Sequence, residues 1–443
     1  MQKARNLQYT ADMQQVSGEL AKLGYYHSIE LRDGSVIPGI QTLEKQRWRI
    51  AQFPIPQDLR GKRVLDIGAW DGWFSFEMER RGASVVAVDA TDKTNFREAK
   101  ALLNSKVEYV VGDICRLKPR DIGYFDIVLF FGVLYHLKHP MLALENVCEL
   151  STGLVCVESF VTDNGDAPVP TLEFYEGDEL AGQFDNWVGP NVSCLLAMCR
   201  ATGFATVEFS GVLDHRAHVV CNKEWPETAR SGPGPELIVV QNSELSNHEF
   251  TADRDDYLTT WFQTPERDLN CDNVLVQVGP YGARPAGVRS SEGVCQANCK
   301  LPLGLAPGWH DVSVAVRDGG WSSKMRIAVD LPREQRLSQT FSNAMTITAV
   351  HDGRTWERNQ VRTGYGSCVS TWVEGIPDGT PMTDVAVRLD GTDIPSCFVS
   401  SLDDEKGAKQ VNALVPAGLE RGEYQLSVRC RDEESRVVAI QLF

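Results

Sequence analysis

Between Arg63 and Cys221 the chain alternates short apolar runs with amphipathic stretches. The runs Val64–Ile67, Ser84–Val88, Val107–Val110, Phe125–Phe131, Gly153–Glu158, Thr206–Ser210 and His218–Cys221 have the length and near-continuous apolar character of buried strands. Helical spacing fills most of the gaps, beginning with Trp73–Arg81. This alternation predicts an α/β domain over residues 61–225, with a mostly parallel sheet covered by helices. Residues 1–60 read as a helical lead-in or lid, loop-rich at Gly34, Pro38, Gly39, Pro54 and Pro56. The alternation stops near Trp225. Residues 226–236 have the Pro/Gly composition of a linker, and only short strands with Gly, Pro and Asp turns follow.

The second half repeats itself. Gln296–Asp318 aligns without gaps to Gln410–Asp432, with identities at Asn298/Asn412, Pro302/Pro416, Gly304/Gly418, Leu305/Leu419, Gly308/Gly422, Ser313/Ser427 and Arg317/Arg431. Upstream, Thr260-Trp261 matches Thr371-Trp372. The expectation is two all-β sandwiches, residues 237–332 and 333–443. Their strand–turn–strand pattern resembles immunoglobulin-like modules of the IPT/TIG kind. Trp261 and Trp372 are expected in the cores and Trp309, which aligns with Glu423, on a surface.

Composition narrows the function classes. The chain has 443 residues, 42% of them apolar, and no apolar run approaches the ~20 residues that span a bilayer. Met1-Gln2-Lys3-Ala4-Arg5 leads into a mixed segment without a secretory apolar region, so a cytoplasmic location is expected. Net charge is −16, which disfavours nucleic acid as a partner because its binding relies on Lys and Arg neutralising phosphates. The twelve cysteines contain no Cys-x-x-Cys pair. They read as reduced, mostly buried thiols, and Cys271, Cys295 and Cys299 lack paired metal-ligand spacing, so no metal is expected.

The chemistry concentrates in Val64-Leu65-Asp66-Ile67-Gly68-Ala69-Trp70-Asp71-Gly72, a strand running into a glycine turn and then a helix. Gly68 and Gly72 permit a tight turn and close approach of a ligand. The spacing is neither the dinucleotide fingerprint nor a P-loop. An acidic strand end suits a sulfonium or ammonium ligand better than a pyrophosphate.

This segment resembles the first motif of class I S-adenosylmethionine methyltransferases, with Ala69-Trp70-Asp71 between the two glycines. That resemblance implies a Rossmann-like fold and S-adenosyl-L-methionine as cofactor. Asp89, ending the next strand, matches the family acid that receives ribose hydroxyls, and Asp113-Ile114 after the third strand matches the acid that meets adenine. The candidate cofactor-binding residues are therefore Asp66, Gly68, Trp70, Gly72, Asp89, Ala90, Asp113, Ile114 and Phe131. Taken singly, Asp66 also reads as a helix cap and Asp113 as a turn residue.

Gly132-Val133-Leu134-Tyr135-His136-Leu137-Lys138-His139-Pro140 narrows the resemblance to the tRNA 5-methoxyuridine (CmoB-type) methyltransferases and their uncharacterised bacterial relatives. It extends through Val157-Glu158, Trp187-Val188-Gly189-Pro190-Asn191 and Ala201-Thr202-Gly203-Phe204, and back to His27–Gly34. It covers residues 20–222 and not the β-domains. The candidate catalytic residues are His136, Tyr135, His27 and Glu158. Histidine removes a proton near neutral pH. The alternatives are a structural hydrogen bond for His136, packing on the cofactor for Tyr135 and an exposed strand-end acid for Glu158. Trp187, Asn191 and Tyr175 are the substrate candidates. Phe174 and Phe184 join Tyr175 and Trp187 as acceptor wall or core.

From His139 through Cys199 there is no Lys or Arg, while ten acids run from Glu145 to Asp185. RNA would meet a negative surface there. The tRNA enzymes use a carboxylated cofactor held by basic contacts, and Leu137 after Tyr135-His136 weighs against it. Three readings follow: O-methylation (or N-methylation) of a small-molecule or glycan-linked acceptor; tRNA wobble-uridine modification; or a binding or assembly protein with a non-catalytic methyltransferase domain. The β-domains are expected to bind a glycan or protein or to form an oligomer interface.

Overall fold

The computed structural model describes residues 24–228, 230–243, 249–252, 256–291, 293–331, 345–364, 366–377, 380–400, 408–416 and 418–443. The expected helix at the very start of the lead-in lies outside the described residues. The chain divides into two compact units, Met1–Trp225 and Pro226–Phe443.

In the first unit, β1 (Ile29–Glu30) and β2 (Val36–Ile37) form a small hairpin ahead of α1 (Leu43–Ile50). Thr42 caps α1 by accepting the Lys45 N–H at 3.2 Å. The Gln46 carboxamide bonds both ways to the main chain of buried Ser28, tying the helix to the hairpin. Then come β3 (Arg63–Ile67), α2 (Trp73–Arg80), β4 (Ser84–Asp89), α3 (Thr94–Leu103), β5 (Glu108–Val111), α4 (Pro119–Ile122), β6 (Phe125–Phe131), α5 (Pro140–Leu150) and β7 (Ser151–Phe160). An insertion carries β8 (Leu172–Phe174) and β9 (Val188–Pro190), followed by α6 (Val192–Ala201), β10 (Thr206–Leu213) and β11 (Arg216–Asn222).

The main sheet has the order β10-β11-β7-β6-β3-β4-β5. β3 pairs in parallel with β4 and β6, β4 with β5, and β6 with β7, while β11 is antiparallel to both its neighbours. The central strands are buried on both faces, as their apolar runs require. The lead-in shares their core. Tyr25, Ile29, Ile37, Ile50, Phe53 and Leu59 sit in one apolar cluster with Val64, Phe74 and Phe131. Residues 24–59 are thus packed as part of the domain, and the described part opens on a hairpin instead of a helix.

The second unit is all-β. Its first half contains β12 (Glu236–Asn242), β13 (Glu249–Phe250), β14 (Tyr257–Gln263), β15 (Val274–Val278), β16 (Tyr281–Ala283), β17 (Pro285–Ser291), β18 (Val294–Lys300), β19 (Gly308–Val316) and β20 (Met325–Val329). They form two sheets, β12-β14-β18-β17 and β13-β20-β19-β15-β16. The second half contains β21 (Thr346–Asp352), β22 (Gln360–Val361), β23 (Cys368–Glu374), β24 (Val385–Leu389), β25 (Thr392–Val399), β26 (Ala408–Leu414), β27 (Gly422–Cys430), β28 (Glu433–Glu434) and β29 (Val438–Leu442). Here β25 pairs with both β24 and β26, so one strand joins the two sheets.

The repeated residues occupy equivalent places. Trp261 lies opposite Gln296 and Trp372 opposite Gln410. Gln296 donates to Asn298 at 3.0 Å, as Gln410 does to Asn412 at 3.0 Å. Each half has its own apolar cluster. Trp261 and Trp372 are half-buried instead of enclosed, and so is Trp309, whose ring lies by the guanidiniums of Arg326 and Arg388. All twelve cysteines are free thiols.

Candidate active site

The crevice lies beyond the carboxyl ends of the parallel strands, where β3 and β6 are neighbours whose onward connections run to opposite sides. After β3 the chain turns through Gly68, Trp70 and Gly72, with φ of +72°, +52° and +87°. The first glycine is required by space as well, because a Cβ there would collide with the Val133 side chain. Trp70 holds a left-handed conformation that costs a bulky residue energy. Two contacts fix it: its N–H donates to the Asp89 carboxylate at 3.1 Å, and the Lys93 ammonium lies 3.9 Å from its ring centroid. The N–H groups of Gly68 and Ala69 donate to the Val88 carbonyl.

Three carboxylates lie at or just past the carboxyl ends of three adjacent strands and differ in setting. Asp66 is buried and accepts the Ser75 hydroxyl at 2.5 Å. Burial pushes its carboxyl up to about 6, against that hydrogen bond. Asp89 is 7% exposed and also accepts the Thr91 N–H at 3.2 Å, with the Lys93 ammonium 3.7 Å away. Asp113 stands exposed in a turn that it braces by accepting the Cys115 N–H at 2.9 Å. Ala90 is exposed just past Asp89, and Ile114 is buried with its carbonyl taken by Asn146. Phe131 stacks on Phe53 at 4.8 Å and meets Phe74 edge-on, so its ring belongs to the aromatic cluster under the lead-in.

On the other side of the crevice, Tyr135 and His136 form a single 3₁₀ turn after β6. The His136 ring nitrogen Nδ1 lies 3.1 Å from the main-chain carbonyl of Asp185. A carbonyl can only accept, so Nδ1 carries the proton and Nε2 keeps its lone pair. Burial lowers the His136 pKa, and the Asp185 contact partly offsets this. The insertion is pinned to the same turn, because the Trp187 N–H donates to the Tyr135 carbonyl at 2.7 Å. Tyr135 is buried, with the Arg216 guanidinium 5.3 Å from its ring centroid and bonded to its hydroxyl. Burial raises the Tyr135 pKa while Arg216 opposes the rise.

The surroundings of two further catalytic candidates weigh against a proton-accepting role. Glu158 is fully buried and receives a bidentate pair from Arg49, Nε at 2.8 Å and the second nitrogen at 2.7 Å, with Arg216 at 3.4 Å and His218 at 3.7 Å. Burial pushes its carboxyl up, but Arg49 and Arg216 outweigh it and the net shift is down. A carboxylate held this way anchors the lead-in to the sheet and is not free to take a proton. His27 is buried, and burial together with Arg49 pushes its pKa down to about 3, too weak a base for work near neutral pH.

The substrate candidates separate likewise. Asn191 caps α6: its side-chain oxygen accepts from Thr171 and Cys194 and its amide donates to Val169, which leaves one amide N–H beyond these bonds. The Tyr175 hydroxyl donates to Glu173 at 2.8 Å. Trp187 is half-buried beneath the Lys138 ammonium, 4.2 Å from its ring centroid. Phe174 and Phe184 are exposed and not part of the core.

A cavity of about 190 Å³ opens beside Glu158, lined by Tyr26, Gln41, Trp48, Arg49, Arg216 and His218 among others. Most of this lining comes from the lead-in and from β11, and Arg49, Arg216 and Asp71 were not among the sequence candidates. Asp71 accepts the N–H groups of Tyr26 and His27 at 2.6 and 2.8 Å. Its only signal is an acid between the two turn glycines. Among the described residues no group of three or more His, Cys, Asp or Glu is placed to hold a metal.

Residues 65–151, from the glycine strand to the end of α5, match the family model described as methyltransferase domain. The chain carries a methyltransferase domain. S-adenosylmethionine is the cofactor that the resemblance of its glycine turn implies. Curated relatives include tRNA U34 carboxymethyltransferase of Pseudomonas aeruginosa, 31% identical over 172 residues, which are 38% of this chain and 52% of the relative. The enzyme of that name from Pseudomonas savastanoi pv. phaseolicola is 29% identical over 192 residues, 42% of this chain and 59% of the relative. The chain thus spans between half and three-fifths of the length of these relatives. Among solved structures, the N-terminal domain of EvdMO1 with SAH bound is similar with a TM-score of 0.36 at 19% identity, covering 48% of this chain and 96% of that one. The Burkholderia thailandensis 1,6-didemethyltoxoflavin-N1-methyltransferase gives 0.29 at 19% identity, covering 37% and 71%.

The methyltransferase domain has residues that fit the cofactor. The glycine turn is fixed in shape by its own hydrogen bonds, and Asp89 presents an acceptor at the end of the adjoining strand, the chemistry a ribose diol requires.

Proposed function

We propose that the chain transfers a methyl group from S-adenosylmethionine to a hydroxyl, or an amine, of a small or glycan-linked acceptor. The observation that carries this reading is the cavity of about 190 Å³ lined by Glu158 and by Arg216, whose guanidinium reaches Tyr135, a volume suited to one sugar or ring-sized group. It is reinforced by the neighbouring segment 139–199, with ten acids and no Lys or Arg, which repels a polyanion.

Asp66, Gly68, Trp70, Gly72 and Asp89 hold the cofactor in this reading. When bound, S-adenosylmethionine supplies an electrophilic methyl group. Tyr135 and Arg216 orient the acceptor, and His136 takes its proton at Nε2. The test is mass-spectrometric detection of methyl transfer to a panel of sugars, phenols and amines, beside bulk tRNA. Methylation of a small acceptor and none of tRNA is expected, and methylation of tRNA alone would overturn the reading.

A second reading has one observation in its favour. Arg216 provides, from a distant strand, the basic contact beside Tyr135 that Leu137 lacks, and the relatives are named tRNA U34 carboxymethyltransferase. Tighter calorimetric binding of carboxylated than of plain S-adenosylmethionine would favour it. For the β-domains, the order β12-β14-β18-β17 facing β15, β19 and β20 supports an immunoglobulin-like reading. Their proposed task is to hold a glycan or protein partner, or a second copy, outside the methyl-transfer step.

A further inference from the structure

The lead-in is fastened to the rest of the domain by two buried carboxylates at opposite ends. At one end Glu158 holds Arg49. At the other, Asp71 is 1% exposed and one of its oxygens accepts both the Tyr26 and the His27 N–H. Asn95 also bonds the Asp71 side chain. Asp71 stands inside the turn that follows β3, one residue from Trp70 and one from Gly72. That turn has little slack: a Cβ on Gly72 would come 2.6 Å from the Phe96 ring and 2.8 Å from the Phe76 ring. The Tyr26 ring also meets the Trp70 ring edge-on, 6.0 Å between centroids.

The residues fastened in this way build a wall. Tyr26, Gln41, Lys45, Trp48 and Arg49, all from the lead-in, line the cavity beside Glu158. Between its two fastenings the segment is braced internally by Gln46 on Ser28 and by the close approach of Gly39 to His27, where a Cβ would find no room. A displacement at Tyr26 is therefore passed along the segment instead of being absorbed in it.

We propose that Asp71 is a positioning residue that couples the cofactor turn to the acceptor cavity, so that occupation of the turn orders the lead-in wall. This rests on the reading that S-adenosylmethionine binds at the turn. The linkage is reciprocal: a ligand that stiffens the turn stabilises residues 25–50, and loosening residues 25–50 weakens the ligand's hold.

The experiment is amide hydrogen exchange on the full chain with and without S-adenosylhomocysteine, with calorimetry on the same samples. In the natural protein, bound S-adenosylhomocysteine slows exchange in peptides covering residues 25–50 by about fivefold or more. Asp71→Ala leaves two buried N–H groups without an acceptor; it still binds the ligand, but the ligand-dependent slowing disappears. Asp71→Asn keeps one accepting oxygen and restores most of it. Binding in the natural protein without slowing at 25–50 overturns this proposal alone, and that arm needs no variant to fold. Slowing that persists in a folded Asp71→Ala protein overturns it as well. Absence of any binding overturns both the proposal and the reading beneath it.

Discussion

Asp89 carries two duties, and they set how it responds to substitution. It fixes the Trp70 turn through one oxygen and keeps Lys93 nearby, while presenting the acceptor that the ribose diol needs. Asp89→Ala is expected to weaken S-adenosylmethionine binding by roughly 1–3 kcal/mol through lost charge-assisted hydrogen bonds. Unchanged affinity by calorimetry in a folded variant would place the cofactor elsewhere. His136 is expected to titrate below the ordinary imidazole value, because burial disfavours its charged form. An NMR titration with a midpoint above 6.5 would remove it as the neutral base. His27 makes a stability prediction. Its folded pKa of about 3 lies below the unfolded value of 6.5, so the stabilisation it gives is complete above 6.5 and drains away as pH falls toward 3. Acid unfolding of residues 1–225 should therefore shift to lower pH in His27→Gln, and an unshifted curve would mean the imidazole is not held neutral. The strand-end acids were legible because strand ends can be read from apolar runs. Arg49, 109 residues from Glu158, was not legible, because nothing local marks a long-range ion pair.

At the scale of elements, the lead-in is joined to β7 by charge, and to β6 and β11 by rings, through Phe53 on Phe131 and on His218. Removing one partner of the Arg49–Glu158 pair leaves a buried charge alone, which typically costs about 3–5 kcal/mol. Glu158→Gln should accordingly lower the thermal midpoint of residues 1–225, and the double change Arg49→Met with Glu158→Leu should recover much of the loss. A Glu158→Gln protein as stable as the natural one would show the pair to be incidental. The seven strands of the main sheet were legible from their apolar runs, with ends that shifted by a few residues, as at Ser151–Phe160 against the expected Gly153–Glu158. The lead-in was less so: Ile29–Glu30 and Val36–Ile37 are too short for a period to show. Their place is set by packing against Phe74 and by the Asp71 bonds. The core alternative for the insertion aromatics fails for a related reason, since Phe174 and Phe184 stand among acids that keep the segment at the surface.

At the scale of the whole molecule, every residue assigned to cofactor or proton transfer precedes Cys221 and lies in the first unit, which has its own apolar core. The second unit carries two all-β halves, each with its own core, and among its described residues no cluster suited to a metal. Residues 1–225 alone should therefore bind S-adenosylmethionine as tightly as the full chain. A folded fragment that binds none would make the β-domains part of the site. What the β-domains hold was not legible, because their repeated residues, Gln296 with Asn298 and Gln410 with Asn412, hydrogen-bond within each half and mark no ligand chemistry. The most direct test of the account is calorimetric titration of the full chain with S-adenosylhomocysteine. It predicts one saturable site per chain, weakened in Asp89→Ala; a folded chain that takes up no S-adenosylhomocysteine would contradict it.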